Sequence, residues 1–391
     1  MTGIKLNIAY AVTVPITAWS ALRGQLDFLR RQGNCVTLAS SPGDDLDSMA
    51  SHEQIEVKAI PTEREISLFH DLVSFWHYWR YWSTLRPHIT NVGTPKAGLV
   101  AGLASWLARV PIRVYTLLGL RLETTSGLKR VVLTAVERVA CAAAHCVVCV
   151  SPSLRDEAIR LKLCDPRKLI VLGSGSANGI ESATYSNRPS EIELQRLRSK
   201  LNLPSDVPVI GFVGRFTKDK GVSELVKAFE RLRLEFSGLR LLLVGVFEEG
   251  DPVPNETRIF IKQNADIIVT GYVPETVPYY HLMSVFALPT YREGFPGVLL
   301  EAAAAGLPIV TTNATGARDA VLHERTGLIV NVADVLALTD GLKRILSNAQ
   351  LAKNYGLSGQ EWVKTEFAPI RVWENIERLY SELALQHGIK P

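Results

Sequence analysis

The chain has 391 residues, 47% of them hydrophobic and 21% charged, with a formal net charge of +4. That length exceeds one core and implies two domains, and the composition is that of an ordered globular protein rather than a disordered one. So small a positive charge gives mild attraction to anionic substrates or anionic lipid, short of a nucleic-acid-binding signature.

In chain order, short apolar strands alternate with longer helical patterns, which argues parallel sheets covered by helices. Strands are expected at Lys5–Ala11, Val36–Ser40, His88–Val92, Val110–Leu117 and Cys146–Ser151, with helices between them such as Ala21–Gln32 and Asp71–Leu85. The first residues lack the apolar block and cleavage site of a signal peptide. The longest apolar stretch, Ala97 to Leu120, is broken by Arg109, Pro111 and Arg113, so no transmembrane helix is expected.

Five cysteines are present, and Cys146 and Cys149 form a Cys-x-x-Cys inside an apolar strand pattern. Positions three apart on a strand face opposite sides, so these thiols do not converge on a metal. Buried, reduced thiols and a cytoplasmic setting are the expectation. The run from Phe69 to Trp82 is rich in aromatics. Packing of a first-domain helix against its sheet is favoured over contact with a membrane interface, although there are too many aromatics for one buried stripe.

Residues 173–208 carry excess Gly, Ser, Asn and Pro around one charged helical stretch, Glu191–Leu201, and read as a linker. A second alternating series then follows: strand Val209–Val213, helix Gly221–Phe236, strands Leu239–Val246, Asp266–Thr270 and Val285–Leu288, a helix holding Glu301, and strand Pro308–Thr312. The fold expected is α/β, with two open parallel sheets joined by a linker and a cleft between the domains. Boundaries are expected at 1–178, a linker at 179–206, 207–368, and a final helical segment 369–391.

Two motifs in the second series carry chemistry. Gly214 and Arg215 directly follow a strand, with Lys220 and Gly221 close behind. A glycine at a strand end lets a ligand approach the backbone, and the two cations suit a diphosphate. Alone this is more often a solvated turn. The second motif gives it weight: Glu293 and Glu301 stand with seven residues between them, the first on a loop after a strand, the second inside an alanine-rich helix. Between them lies a helix amino terminus whose free N–H groups suit phosphate. Both motifs sit at carboxyl ends of parallel strands, where such sheets bind ligands.

On Gly214-Arg215 through Lys220-Gly221, Thr270-Gly271-Tyr272-Val273, Tyr291-Arg292-Glu293-Gly294-Phe295-Pro296, Glu301-Ala302, Gly306-Leu307-Pro308 and Thr326-Gly327-Leu328, the chain resembles glycosyltransferase family 4. The first half is similar to bacterial capsule and exopolysaccharide members through Thr94–Gly98, Tyr115–Leu117 and Gly173–Gly179. The resemblance implies two facing Rossmann-like domains of GT-B type with an interdomain cleft, a final helix that crosses back to the first domain, and a retaining glycosyltransferase that moves a hexose or N-acetylhexosamine from a nucleotide diphosphate sugar, UDP-linked, to a glycan acceptor. The acceptor is expected to be polyprenyl-diphosphate-linked, at the inner membrane face, in capsule, exopolysaccharide or O-antigen biosynthesis.

Carried over by position, Arg215 and Lys220 neutralise the donor diphosphate, Glu293 contacts donor-sugar hydroxyls and Glu301 holds the ribose. Gly214 admits the ligand, the backbone around Gly294, Phe295, Gly297 and Val298 touches the phosphates, and Tyr272 and Val273 lie beside the base. No cofactor or metal is expected, since the acidic pair Asp44-Asp45 reads as a solvated turn.

Two departures from the family pattern stand out. The first loop, Val14 to Ser20, lacks a glycine pair, and Gly93 and Leu118 occupy places where many members carry a histidine. No catalytic histidine is therefore named, and His88 and His145 are expected to pack or meet solvent. Glu301, inside a helix, is badly placed for a covalent two-carboxylate route. Same-face attack, with the leaving diphosphate accepting the proton, is the expected mechanism. The competing readings are a sugar-nucleotide epimerase of the same architecture and a non-catalytic membrane-associated binding protein.

Overall fold

The computed structural model describes residues 5–63 and 67–389. The chain divides into two units, Met1–Gly179 with Pro369–Pro391, and Ile180–Ala368.

The first unit holds seven parallel strands: β1 (Asn7–Ala11), β2 (Cys35–Ser40), β3 (Glu56–Ala59), β4 (Ile89–Gly93), β5 (Ile112–Leu117), β6 (Cys146–Cys149) and β7 (Leu169–Ile170). Their order is β3-β2-β1-β4-β5-β6-β7, so the winding direction reverses between β1 and β4. The central strands are buried on both faces, which is why they read as unbroken apolar runs rather than alternating ones. Burial pushes the Cys146 and Cys149 thiols up to about 12, so both stay protonated at neutral pH. The helix Pro369–Gln386 belongs to this unit. Its Tyr380 hydroxyl lies 2.7 Å from that of Tyr10 on β1 and accepts a 2.7 Å bond from Asn91 Nδ2 on β4.

The second unit holds six parallel strands: β8 (Val209–Val213), β9 (Arg240–Val244), β10 (Ile267–Val269), β11 (Val285–Leu288), β12 (Ile309–Thr312) and β13 (Gly327–Val330). Their order is β10-β9-β8-β11-β12-β13, with the reversal between β8 and β11. Helix Val222–Leu232 shows how the sequence drives this layer: Val222, Leu225, Val226, Phe229 and Leu232 recur at helical spacing and are all buried. Each such side chain removed from water stabilises the unit by roughly 1.5–3 kcal/mol.

The segment 179–206 is not a linker. Helices Ser182–Ser186 and Glu191–Lys200 occupy it, and the second begins with a capping box in which Ser190 and Glu193 satisfy each other's backbone amides. Leu194 and Leu203 are buried in the second unit's core, with Ile180, Tyr185 and Leu197 packed against it. The boundary therefore falls at Gly179. The expected helix Ala21–Gln32 is two helices, Pro15–Ala21 and Gln25–Arg31, and the amide of Gly24 at the break is bonded to Glu53 Oε1 at 2.7 Å. Strands β3, β7 and β13 were not anticipated; all three lie at sheet edges. The apolar stretch from Ala97 divides into helix Pro95–Leu107 and β5, and no helix among the described residues is long and apolar enough to cross a membrane.

Candidate active site at the switch point of the second sheet

Where the order of an open parallel sheet reverses, the loops leaving the two adjacent strands part in opposite directions and open a crevice. In the second unit those loops follow β8 and β11. The first runs from Gly214 into the short turn Lys218–Lys220, and the second runs from Pro289 to the helix Gly297–Ala304.

The two loops are stitched together. The Tyr291 amide donates to the Asp219 carbonyl at 2.8 Å, and Thr290 Oγ1 donates to the same oxygen at 2.9 Å. Arg292 forms an ion pair with Asp219. The Tyr291 hydroxyl donates to Glu224 Oε1 at 2.9 Å, and burial first, then that carboxylate, pushes Tyr291 up to about 12. Gly221 makes this approach possible, and Gly245, after β9, lets its own loop close on Gly214. A side chain at Gly221 (φ 71°) would place its Cβ 1.9 Å from the Pro289 carbonyl oxygen, and one at Gly245 (φ 142°) would strike the Gly214 carbonyl oxygen at 1.9 Å.

This framework brings Lys220 and Glu293 together. Lys220 Nζ lies 2.5 Å from Glu293 Oε1, with both side chains largely shielded from solvent. The Glu293 amide is held by the Thr315 carbonyl at 2.9 Å, so the loop after β12 supports the same carboxylate. Arg215 is more exposed and pairs with Glu248 at 2.6 Å. Each of these two cations therefore has a carboxylate partner, and an anion that binds Arg215 has to displace Glu248.

Glu301 stands in the second turn of helix Gly297–Ala304, and its Oε2 accepts a 2.7 Å bond from the Tyr280 hydroxyl. Burial raises its pKa, while hydrogen bonds from Tyr280, Tyr185 and Thr276 pull it back down. Tyr185 lies in the segment read as a linker, so that reading hid one of the groups holding Glu301. At the helix start, Pro296 is the N-cap, and the amides of Gly297 and Val298 have no protein acceptor among the described residues. The position of a Cβ at Gly297 is open. Phe295 is anchored against Phe367, 5.3 Å between ring centroids, and the Gly294 carbonyl is packed against Gly316.

Tyr272 and Val273 follow β10, which β9 separates from β8. Tyr272 is 79% exposed and Val273 packs on the core. Neither makes a described contact with Lys220 or Glu293. Sequence reasoning missed Glu248 and Tyr280, which lie far in the chain from the residues they hold; Asp219 and Glu224 lie in or just after the first motif, but their bonds to the second loop form only on folding.

In the first unit, Gly93 and Leu118 are neighbours, with the Gly93 Cβ position 3.6 Å from a Leu118 methyl carbon. His88 Nδ1 accepts the Asn7 amide at 3.0 Å, and His145 Nδ1 accepts the Arg113 amide at 3.3 Å. Burial and the adjacent Arg113 push His145 down to about 4. Both histidines are structural.

Paired cations and carboxylates at the switch point of a parallel sheet, beside a helix amino terminus with free amides, suit a phosphorylated ligand. The glycosyl transferases group 1 family matches residues 207–348, and the glycosyl transferase 4-like domain matches residues 18–175. A capsular polysaccharide biosynthesis glycosyltransferase, CapM of Staphylococcus aureus, is 35% identical over 92% of this chain and 93% of its own length. The chain belongs to this glycosyltransferase family. A 2-deoxystreptamine N-acetyl-D-glucosaminyltransferase of Niallia circulans is 30% identical over 45% of the chain and 46% of its own length. The fold is shared with Anabaena HepE in complex with UDP (TM-score 0.78, 18% identity, 96% of this chain and 100% of that one). It is shared also with a sucrose-phosphate synthase from Thermosynechococcus elongatus (TM-score 0.79, 20% identity, 97% and 100%).

Proposed function

We propose that this glycosyltransferase of capsular polysaccharide biosynthesis moves a hexose or N-acetylhexosamine from a UDP-linked donor, with retention of configuration, to a glycan carried on a polyprenyl diphosphate at the cytoplasmic membrane face. The observation that carries the donor assignment is the Lys220–Glu293 contact at the switch point, beside the uncapped amides of Gly297 and Val298. Lys220 and Arg215 offset the charge that builds on the diphosphate as the glycosidic bond breaks, and the helix terminus adds its dipole. Glu293, oriented by Lys220, accepts from donor-sugar hydroxyls, and Glu301 from the ribose. Tyr272 and Val273 flank the base.

With Glu301 tied to Tyr280 inside a helix, a pair of carboxylates astride the anomeric carbon is not the arrangement this site supports. The acceptor oxygen attacks from the face the diphosphate leaves, and the diphosphate takes the proton. Positive charge on the diphosphate comes from Arg215, Lys220 and the helix, so transfer needs no metal.

Thermal-shift screening with UDP-, GDP- and dTDP-sugars tests the donor, because a ligand that binds only the native state raises the melting temperature. A UDP-sugar should give the largest shift, and NMR of the product should show the donor's anomeric configuration. Absence of binding by every nucleotide would sink the reading, and an inverted product would sink its mechanism. Chelator should leave the rate unchanged.

A further inference from the structure

The loop that follows β9 holds a carboxylate against Arg215. It leaves the sheet at Gly245 and runs beside the loop after β8. The Phe216 amide donates to the Val246 carbonyl at 2.7 Å, and the Glu248 amide donates to the Phe216 carbonyl at 3.3 Å. Further along, the Lys218 amide donates to the Asp251 carbonyl at 3.1 Å and the Asp219 amide to the Asp251 carboxylate at 2.9 Å. Successive side chains on extended backbone point to opposite sides. Phe216 and Phe247 accordingly turn inward and meet edge to face, 5.1 Å between centroids, with Arg258 stacked on Phe247 at 4.9 Å. Their neighbours Arg215 and Glu248 turn outward and meet at 2.6 Å.

The two ion pairs of the site differ in consequence. Lys220 and Glu293 both have a task in the transfer proposed above, whereas Glu248 has none. Nor does the frame need its side chain, because the bonds that fix this loop are made by backbone atoms, by Asp251 and by the two phenylalanines. The carboxylate meets the guanidinium through Nη1, with the Arg215 side chain 60% exposed and that of Glu248 31%. A pair so open to water is weak. A phosphate that takes two guanidinium nitrogens is the stronger partner. Glu248 therefore competes with a phosphate without excluding it.

We propose that Glu248 is a built-in competitor of the donor diphosphate. It holds Arg215 while the site is empty, gives it up when the diphosphate binds, and takes it back as the nucleoside diphosphate leaves. The effect is to weaken the hold on the product and to speed its release. Glu248 acts through Arg215, so it is a positioning residue. The inference rests on the diphosphate role given to Arg215 under the proposed function. Simple repulsion between a carboxylate and a nearby anion is the rival account, and it differs in not needing Arg215.

The test is a double-variant cycle read by isothermal titration with UDP. Glu248→Gln keeps the size of the side chain and an acceptor for Arg215 but removes the charge. It should tighten UDP about threefold, the scale of an exposed ion pair. The gain should appear as slower UDP dissociation in stopped-flow measurements. Arg215→Gln should weaken UDP, and adding Glu248→Gln to it should change the affinity by less than about 1.5-fold. Equal tightening in both backgrounds would mean repulsion alone and overturn the proposal, as would a UDP affinity that Glu248→Gln leaves unchanged or weakens. Neither side chain lies in the core, so both variants should keep the parent's urea midpoint.

Inorganic diphosphate, titrated alongside, keeps the two claims apart. If no nucleotide binds but inorganic diphosphate binds more tightly to Glu248→Gln than to the parent, the competitor stands and the proposed function falls. If UDP binds the parent and Glu248→Gln equally, the competitor alone falls. Binding of neither ligand to the parent would sink both.

Discussion

Lys220 and Glu293 are 73 residues apart in sequence and 2.5 Å apart in space, joined across the point where the second sheet reverses. If Lys220 serves the diphosphate and Glu293 the sugar, their removal should separate two measurements. Glu293→Ala should lower kcat about 100-fold or more while UDP itself binds within about threefold of the parent. Lys220→Ala should weaken UDP about tenfold as well as slowing turnover, because it removes a cation from the diphosphate and the anchor from Glu293. The double variant should then be less than additive. Isothermal titration with UDP beside steady-state kinetics decides it, and additive losses would mean that the contact does not couple the two roles.

Gly221 should tolerate no side chain. Alanine there must adopt a left-handed backbone and push its Cβ into the Pro289 carbonyl, 1.9 Å away. A loss of about 2–4 kcal/mol in the second unit is expected, with UDP binding lost together with the contact between the loops. Gly297→Ala is the contrast: its Cβ position is open and the residue is helical, so denaturant melting should change by about 1 kcal/mol or less.

The second half of the chain was the more legible half, for a physical reason. Strands β8 and β11 have the bounds expected of them because buried parallel strands are continuous apolar runs ended by glycine or proline. The motifs that single out Arg215, Lys220, Glu293 and Glu301 are local in sequence, so they can be read without the fold. Edge strands escaped notice: β3 is largely exposed and β7 has two residues, too few for any period to show. The segment 179–206 misled through its Gly, Ser and Pro content, yet Leu194 and Leu203 supply enough burial to dock it. The partners Glu248 and Tyr280 meet the site only through tertiary folding, so no spacing announces them.

Glu301 gives a pH prediction. Burial raises its pKa above the ordinary glutamate range, and the Tyr280 hydroxyl opposes that rise. If Glu301 accepts from the ribose hydroxyls as proposed, its ionised form is the stronger acceptor, so UDP affinity should fall on acidification at a higher pH than an ordinary glutamate would produce. Tyr280→Phe removes a hydrogen bond to the charged form and should move the fall to still higher pH; Glu301→Gln should abolish it. UDP titrations across pH check both shifts, and a profile unmoved by Tyr280→Phe would show that Glu301 is not the titrating group.

Glu137 gives a second, independent of catalysis. It is 3% exposed, and burial lifts its pKa from 4.5 to about 7, although its bond from Tyr115 pulls the other way. Between those two values the folded chain holds a proton that the unfolded chain has released, so stability declines as pH rises through that window. The full decline corresponds to about 3 kcal/mol. Glu137→Gln keeps an acceptor for Tyr115 but cannot ionise, so its stability should be flat between pH 5 and pH 7 where the parent's falls, with the two closest at the acidic end. Urea denaturation across that range measures the difference, and parallel slopes would mean that Glu137 already titrates in the folded chain as an ordinary carboxylate.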